Sequence, residues 1–312
     1  MSSITIFRNM LIKIGTRGSK LALWQAYFVE KKLQQQGAET QIVIIETKGD
    51  KILDRSLSKI GSKGVFTQEL EDQLRTHQID IAVHSAKDLQ SELDDDLELI
   101  AFSERELVND VLVSYNKNLA LIPTANFIIG TSSTRRVALL KHYFPHIQTT
   151  DMRGNLQTRL RKLEEGQCDA LLLAYAGVHR MAYDDLIVAH IPTHQFTPAV
   201  GQGSVAIECS RTLDEAKKSL IREAINHNNT ELCLLAERAF LKHLQGGCSV
   251  PVFGLATLQE NKIVLSGGVV SLDGKTILKD EAEGNDPIVV GISLAENLKS
   301  QGAEAILKAI RG

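Results

Sequence analysis

No two of the four cysteines in this 312-residue chain form a CxxC pair, and no histidine–cysteine spacing matches a zinc site. Cys168, Cys209, Cys233 and Cys248 therefore imply neither a structural metal nor a disulfide framework, and a reducing cytoplasm is the expected compartment. Also missing is any apolar run approaching the roughly 18 residues that cross a bilayer, and the opening MSSITIFRNMLIKIG lacks the apolar core of a signal peptide. The expectation is a protein neither exported nor membrane-spanning. Met10 as the true start would make the first nine residues a dispensable extension. The chain has no excess of positive charge either. A formal net charge of −3 argues against a general nucleic-acid binder. What is present, 43% hydrophobic and 23% charged residues, is the composition of an ordinary folded protein, long enough for two or three domains.

Positive charge is concentrated locally instead. From Ile128 to Arg180 one device occurs three times, in IIGTSSTRRVALL, TTDMRGNLQTRLRKL and ALLLAYAGVHR. Each copy sets an apolar or β-prone run before small residues, with arginine at or just past the start of a helix. The first helical turn leaves N–H groups unpaired and carries partial positive charge, so it favours an acidic ligand. Arginine adds a planar fork of donors matched to carboxylate or phosphate. Arg135, Arg136, Arg153, Arg159 and Arg180 are thus expected at or near loop-to-helix junctions, where side chains can converge on a cleft. Arg161, off the Leu156, Leu160, Leu163 stripe, reads as a solvated helix face. Any one of these arginines alone would be read as a surface ion pair, but three successive copies point to a polyacidic small molecule.

Along the chain, Leu11 to Ile14 reads as a strand, GTRGSK as a loop holding Arg17 and Ser19, and Leu21 to Gln36 as a helix with Leu21, Trp24 and Phe28 on one face. A strand over 41–47 follows. Residues 48–64, polar and without periodicity, read as a mobile loop or lid. A helix over 66–77 carries Phe66, Leu70 and Leu74, and IDIAVHSAKDLQ begins as a buried parallel strand. Strands near 97–103 and 110–114 lead into the arginine-rich segment, PAVGQGSVAIECS gives a glycine hinge and a strand, and helices are expected at 212–226 and 229–244. Three alternating strands, about 252–258, 262–271 and 276–282, then precede a helix opened by Asp286 and Pro287. The fold expected is α/β: two periplasmic-binding-protein-like doubly wound lobes plus a small C-terminal α+β domain. The boundaries expected are 1–104 with 203–226, then 105–202, then 227–312. Two lobes joined by two crossings describe a clamshell with hinge closure.

Asp88 and Lys87 fall past the carboxyl end of a strand, where such sheets bind ligands. Asp88 is a candidate acid/base or cation stabiliser, against the plain alternative of an ion pair or turn residue. Cys248 lies in the loop QGGCSVPV, whose glycines leave the backbone permissive and the thiol open. The other three cysteines sit in apolar runs and read as core. No histidine stands at a motif spacing from Cys248, so a protease-like dyad is not supported.

In order along the chain, IGTRGSKLALWQA, GSKGVFTQELE, DIAVHSAKDLQ, IGTSSTRR, MRGNLQTRL, LAYAGVHR, PAVGQGSVAIEC and LQGGCSVPV closely resemble the porphobilinogen deaminase family. The resemblance spans almost the whole chain. It implies a three-domain enzyme that polymerises four porphobilinogen molecules, releasing ammonia at each step, into hydroxymethylbilane, on a dipyrromethane cofactor joined by a thioether to the cysteine matching Cys248. It implies catalysis by Asp88. The basic residues matching the family's cofactor and substrate contacts are Arg17, Lys87, Arg135, Arg136, Arg153, Arg159 and Arg180, with Ser19, Ser132 and Ser133 hydrogen-bonding beside them. Lys63 and Phe66 match its flexible-loop motif and Gln202 its hinge motif. No metal, nucleic acid or membrane partner is implied, and the expected state is a cytoplasmic monomer. Three positions depart from the pattern: Gln90 replaces the usual proline, Lys48 a frequent arginine, and Thr134 a more apolar residue.

Two other classes compete. A non-catalytic clamshell binding protein for a polyacid shares the arginine-lined plan, but it needs export and no exposed cysteine. A transcription regulator's effector domain lacks its helix-turn-helix here.

Overall fold

The computed structural model describes residues 10–51, 67–122, 124–247 and 250–311. They begin with β1 (Leu11–Thr16), α1 (Lys20–Gln35), β2 (Glu39–Ile44), the short α2 (Lys48–Lys51), α3 (Gln68–Arg75), β3 (Ile81–Ser85) and β4 (Leu97–Phe102). Next come β5 (Asp110–Val113), β6 (Ile128–Gly130), α4 (Thr134–Tyr143), β7 (Gln148–Thr150), α5 (Leu156–Glu164), β8 (Ala170–Ala174), α6 (Tyr175–Arg180) and β9 (Ile187–His190). The chain ends with β10 (Val205–Ser210), α7 (Glu215–Ile225), α8 (Asn228–His243), β11 (Val252–Gln259), β12 (Lys262–Val270), β13 (Ile277–Gly284), α9 (Pro287–Ser300) and α10 (Ala303–Arg311). The segment expected as a loop from residue 48 thus opens with a helical turn, and its remainder lies outside the described residues.

Two compact units hold these elements. The first comprises the described residues of Met1–Arg55, Lys63–Arg105 and Ser204–Glu231. Its five strands lie in the order β2-β1-β3-β10-β4, with β1 parallel to β2 and β3, and β10 antiparallel to both its neighbours. Periodicity could not reveal that reversal, because every residue of β10 is buried, as in any central strand. Ile12, Ile14, Ile81, Val83, Val205 and Ile207 meet Val29 and Leu33 of α1 and Leu220 and Ile221 of α7 in one core. Leu70 and Leu74 of α3 join Ala82 and Leu97 in another.

Trp24 and Phe28 share one face of α1, as expected, but the residues the helix buries most deeply are others. It buries Gln25, Ala26, Val29 and Leu33, while Trp24 and Phe28 are half-buried, their rings stacked with centroids 5.8 Å apart. Gln25 tolerates burial because its amide donates to Ser85 Oγ at 2.8 Å.

The second unit comprises the described residues of Glu106–Gly203 and Leu232–Gly312. Its first sheet, β7-β6-β8-β5-β9, reproduces the pattern of the first unit: β6, β7 and β8 are parallel, and β5 runs antiparallel between β8 and β9. The succession β6-α4-β7-α5-β8 repeats β1-α1-β2-α3-β3, and the first strand of each copy ends in or runs out through IGT. A side chain at Gly130 would meet Cys168 Sγ and Leu171 Cδ2 at 2.9 Å, so the turn out of β6 has room only for glycine.

The C-terminal strands form the antiparallel meander β11-β12-β13, and Val252 pairs with Val269. As expected, Asp286 caps α9, its carboxylate accepting from the Ile288 and Val289 amides, with Pro287 in the first turn. Phe253 and Val270 pack into the core that also holds Leu112 and Phe196. Glu237 of α8 is fully buried, accepting from the Gly201 and Ala256 amides at 2.8 Å each.

Candidate active site

In the first unit the site residues gather where β1 and β3 end side by side. Arg17 and Ser19 follow β1, Ser19 caps α1 by accepting from the Ala22 amide at 3.3 Å, and no acidic residue occupies that first turn. Strand β3 runs into a 3₁₀ turn, Ala86–Asp88, and the Ala86 amide donates to Ser204 O at 3.0 Å. Lys87 is half-buried. Asp88 is exposed and has no hydrogen bond or ion pair with the described residues.

In the second unit the carboxyl ends of β6, β7 and β8 present the arginine-rich segment. Ser133 caps α4, and Ser132 accepts from the Met152 amide at 3.0 Å, tying the β6 and β7 turns together. Arg153 donates through Nε to Asp151 at 2.8 Å. Burial alone raises the Asp151 pKa, but Ser132 and Arg153 bring it below the ordinary carboxylate value. Arg159 lies in the first turn of α5, near the junction as expected, and its Nε reaches back to Gly154 O at 2.8 Å. Arg180 ends α6 instead of opening it and donates to Gly203 O at 2.7 Å; burial lowers its pKa, opposed by Glu106. Arg161 is exposed and paired with Glu165, the solvated face expected of it.

Arg135 and Arg136 differ from their expected setting, because both guanidinium groups are buried. Each donates to one oxygen of Asp110 at 2.7 Å. Arg135 also donates to Thr197 O at 2.9 Å and Arg136 to Leu172 O at 3.0 Å. Gln202, expected in a hinge, donates to Asp110 at 3.0 Å and to Val108 O at 2.7 Å. Burial raises the Asp110 pKa, yet the two guanidinium groups and the hydrogen bonds overcome this and hold it well below the usual carboxylate range. Burial likewise lowers the Arg135 pKa, against Asp110. Two cations against one anion leave local positive charge, and both arginine Nε atoms are buried without a hydrogen-bond partner among the described residues.

Sequence reasoning missed Asp110 and Asp151. An acid opening the otherwise apolar strand DVLV was the available signal, since a buried carboxylate needs cationic partners. Lys63, Phe66 and Cys248 lie outside the described residues. Cys168, Cys209 and Cys233 are buried, as their apolar runs implied, and burial pushes Cys209 up to about 12. Among the described residues no acidic and histidine or cysteine cluster could hold a metal, and no helix is long and apolar enough to cross a membrane.

Such a chain is an α/β protein with two repeated sheet lobes and a C-terminal α+β module, with basic side chains at the strand ends of both lobes. Residues 12–218 match the family model "Porphobilinogen deaminase, dipyromethane cofactor binding domain", and residues 231–300 match "Porphobilinogen deaminase, C-terminal domain". A porphobilinogen deaminase of Cytophaga hutchinsonii is 56% identical over 97% of this chain and 98% of its own length. One from Desulfosudis oleivorans is 52% identical over the same shares, and one from a Nostoc strain 43% identical over 99% and 98%. The chain belongs to the porphobilinogen deaminase family. Among solved structures, the Bordetella pertussis BvgS periplasmic VFT2 domain aligns with a TM-score of 0.42 at 14% identity, over 69% of this chain and 86% of that one, a likeness too remote to carry a functional argument.

Proposed function

We propose that this chain polymerises four porphobilinogen molecules head to tail, with loss of ammonia, into hydroxymethylbilane on a covalently held dipyrromethane, and that Asp88 is its catalytic carboxylate. The observation that carries the reading is the exposed Asp88 at the end of β3, unpartnered among the described residues, with Arg17 and Lys87 at the same end of the sheet.

The residues present fit a carboxylate-bearing cofactor. No acidic side chain occupies the first turn of α1, α4, α5 or α6, and two buried arginine Nε donors have no partner among the described residues. When bound, dipyrromethane supplies the pyrrole carbon from which growth starts. In this reading Cys248 tethers it by a thioether, which keeps each addition intramolecular. Arg17, Lys87, Arg153, Arg159 and Arg180 hold acetate and propionate groups, and Ser19, Ser132 and Ser133 lie beside them. Arg135 and Arg136 contribute their unmet Nε donors and the positive excess around Asp110. Lys63, Phe66 and Gln202 belong to the substrate-binding or loop set.

Loss of ammonia leaves porphobilinogen as an electron-poor methylene pyrrole, and the next bond forms through cationic species. Asp88 accepts the pyrrole N–H, stabilises that charge and takes up the proton released.

We further propose three domains, 1–104 with 203–226, 105–202 and 227–312, the last carrying Cys248. The two family matches and the three separate sheets support this division. We also propose a cytoplasmic monomer with no nucleic-acid or membrane partner; cysteines buried in apolar runs suit a reducing compartment.

Intact mass of the purified protein, before and after porphobilinogen is added, tests the reading. A resting excess of two pyrrole units, growing with substrate, is expected. A mass equal to the sequence, unchanged by substrate, would instead indicate a non-catalytic binding protein.

A further inference from the structure

Nothing among the described residues bonds to the Asp88 side chain, so its aim depends on the backbone that carries it. That backbone is held by buried polar groups on both sides of the turn. Before it, His84 of β3 lies 2.9 Å from Glu208 Oε2 of the neighbouring β10, with the histidine 7% exposed and the glutamate 0%. Beyond it, the Gln90 amide donates to Thr67 Oγ1 at 3.3 Å and to Glu71 Oε1 at 3.4 Å.

Thr67 stands at the N-cap of α3, yet its hydroxyl makes no capping bond to that helix. The Gln90 amide bridges this hydroxyl and the Glu71 carboxyl instead. Glu71 is 3% exposed on the inward side of α3, beside the buried Leu70 and Leu74. Burial raises its pKa, opposed by Thr67 and by Arg75, whose guanidinium lies 3.9 Å from its other oxygen, while Glu208 raises it further. An apolar residue would suit such a position better on packing grounds. The carboxyl becomes intelligible through the amide it holds, two residues beyond Asp88.

We propose that Gln90 and Glu71 are positioning residues for the reaction: the Glu71 carboxyl, rigid on α3, fixes Gln90 and thereby the backbone that presents Asp88. The inference rests on the catalytic reading of Asp88. It assigns Gln90 a task that ring rigidity would perform if a proline stood there, and it ties the reacting carboxylate to the start of α3.

The test is a kinetic double-mutant cycle on the cofactor-loaded enzyme. Gln90→Leu removes both donors at similar size. It should lower kcat about tenfold or more with KM for porphobilinogen within about twofold, because aim is lost and binding is not. Intact mass should still show the two pyrrole units. Combining it with Glu71→Leu should give no further loss beyond the worse single variant. Should Glu71→Leu fail to fold, Thr67→Val replaces it in the cycle. Turnover by Gln90→Leu within about twofold of wild type, or losses that simply multiply, would overturn the proposal. Asp88→Ala is measured in parallel: normal turnover there removes the premise itself, an outcome separate from a failed cycle.

Discussion

Arg136 and Asp110, both buried, meet at 2.7 Å, and Arg135 takes the other oxygen of the same carboxylate at the same distance. One acid at the head of β5 therefore fixes two arginines of the first turn of α4 and, through Gln202, the segment before β10. A buried charge is tolerated only with such partners, so Asp110 is where the basic segment is anchored.

Asp110→Asn should destabilise the fold by about 3–5 kcal/mol, because it strands two buried guanidinium groups. Denaturant unfolding at neutral pH measures this. The folded-state pKa of Asp110 is depressed, so its contribution is present above the unfolded value of about 3.9 and is lost as pH falls toward the folded one. The stability gap between wild type and variant should hold from neutral pH to about pH 5 and shrink below pH 4. A gap independent of pH down to the acid limit would contradict it.

Asp88→Ala should keep the fold and the attached cofactor while product formation drops by about 10²–10⁴. Asp88 is exposed and unpartnered among the described residues, so little stability depends on it. Product formation at the wild-type rate would remove it from the mechanism.

Cys248→Ser should abolish cofactor attachment, leaving a protein whose mass equals its sequence. Native thiol titration adds a second readout. Cys168, Cys209 and Cys233 are buried, and Cys209, pushed up to about 12, carries almost no thiolate at neutral pH. In the loaded native enzyme these three should react only after unfolding, and rapid native labelling of any of them would be inconsistent with their burial.

Arg153→Leu and Arg159→Leu should each stall cofactor assembly or chain elongation, visible as missing enzyme–substrate intermediates on native gels. Arg161→Leu, on the same segment but exposed and paired with Glu165, should leave the full ladder intact. Equal damage from all three would mean that the segment acts by charge alone.

Much of this was legible in the residues themselves. Ser19, Ser133 and Asp286 cap helices where small polar residues precede an apolar stripe, and the C-terminal meander follows from alternating strands. Trp24 and Phe28 do share a face of α1, but burial falls deepest on Gln25, Ala26, Val29 and Leu33, smaller side chains that pack closely against the sheet. The placement of Arg180, at the end of α6, was off because helix ends are set by capping and tertiary contacts that a window of residues only partly encodes.

The sequence by itself determined the local grammar: strands, helix starts, a concentration of cations, three cysteines in apolar runs and one in a glycine loop. These follow from preferences acting over a few neighbouring positions. Only the tertiary structure decided that β5 and β10 run against their neighbours, that Arg135 and Arg136 turn inward to Asp110, and that Gln90 reaches Glu71. Each joins residues 19 or more positions apart, and such pairings are chosen by burial and charge compensation across the whole fold.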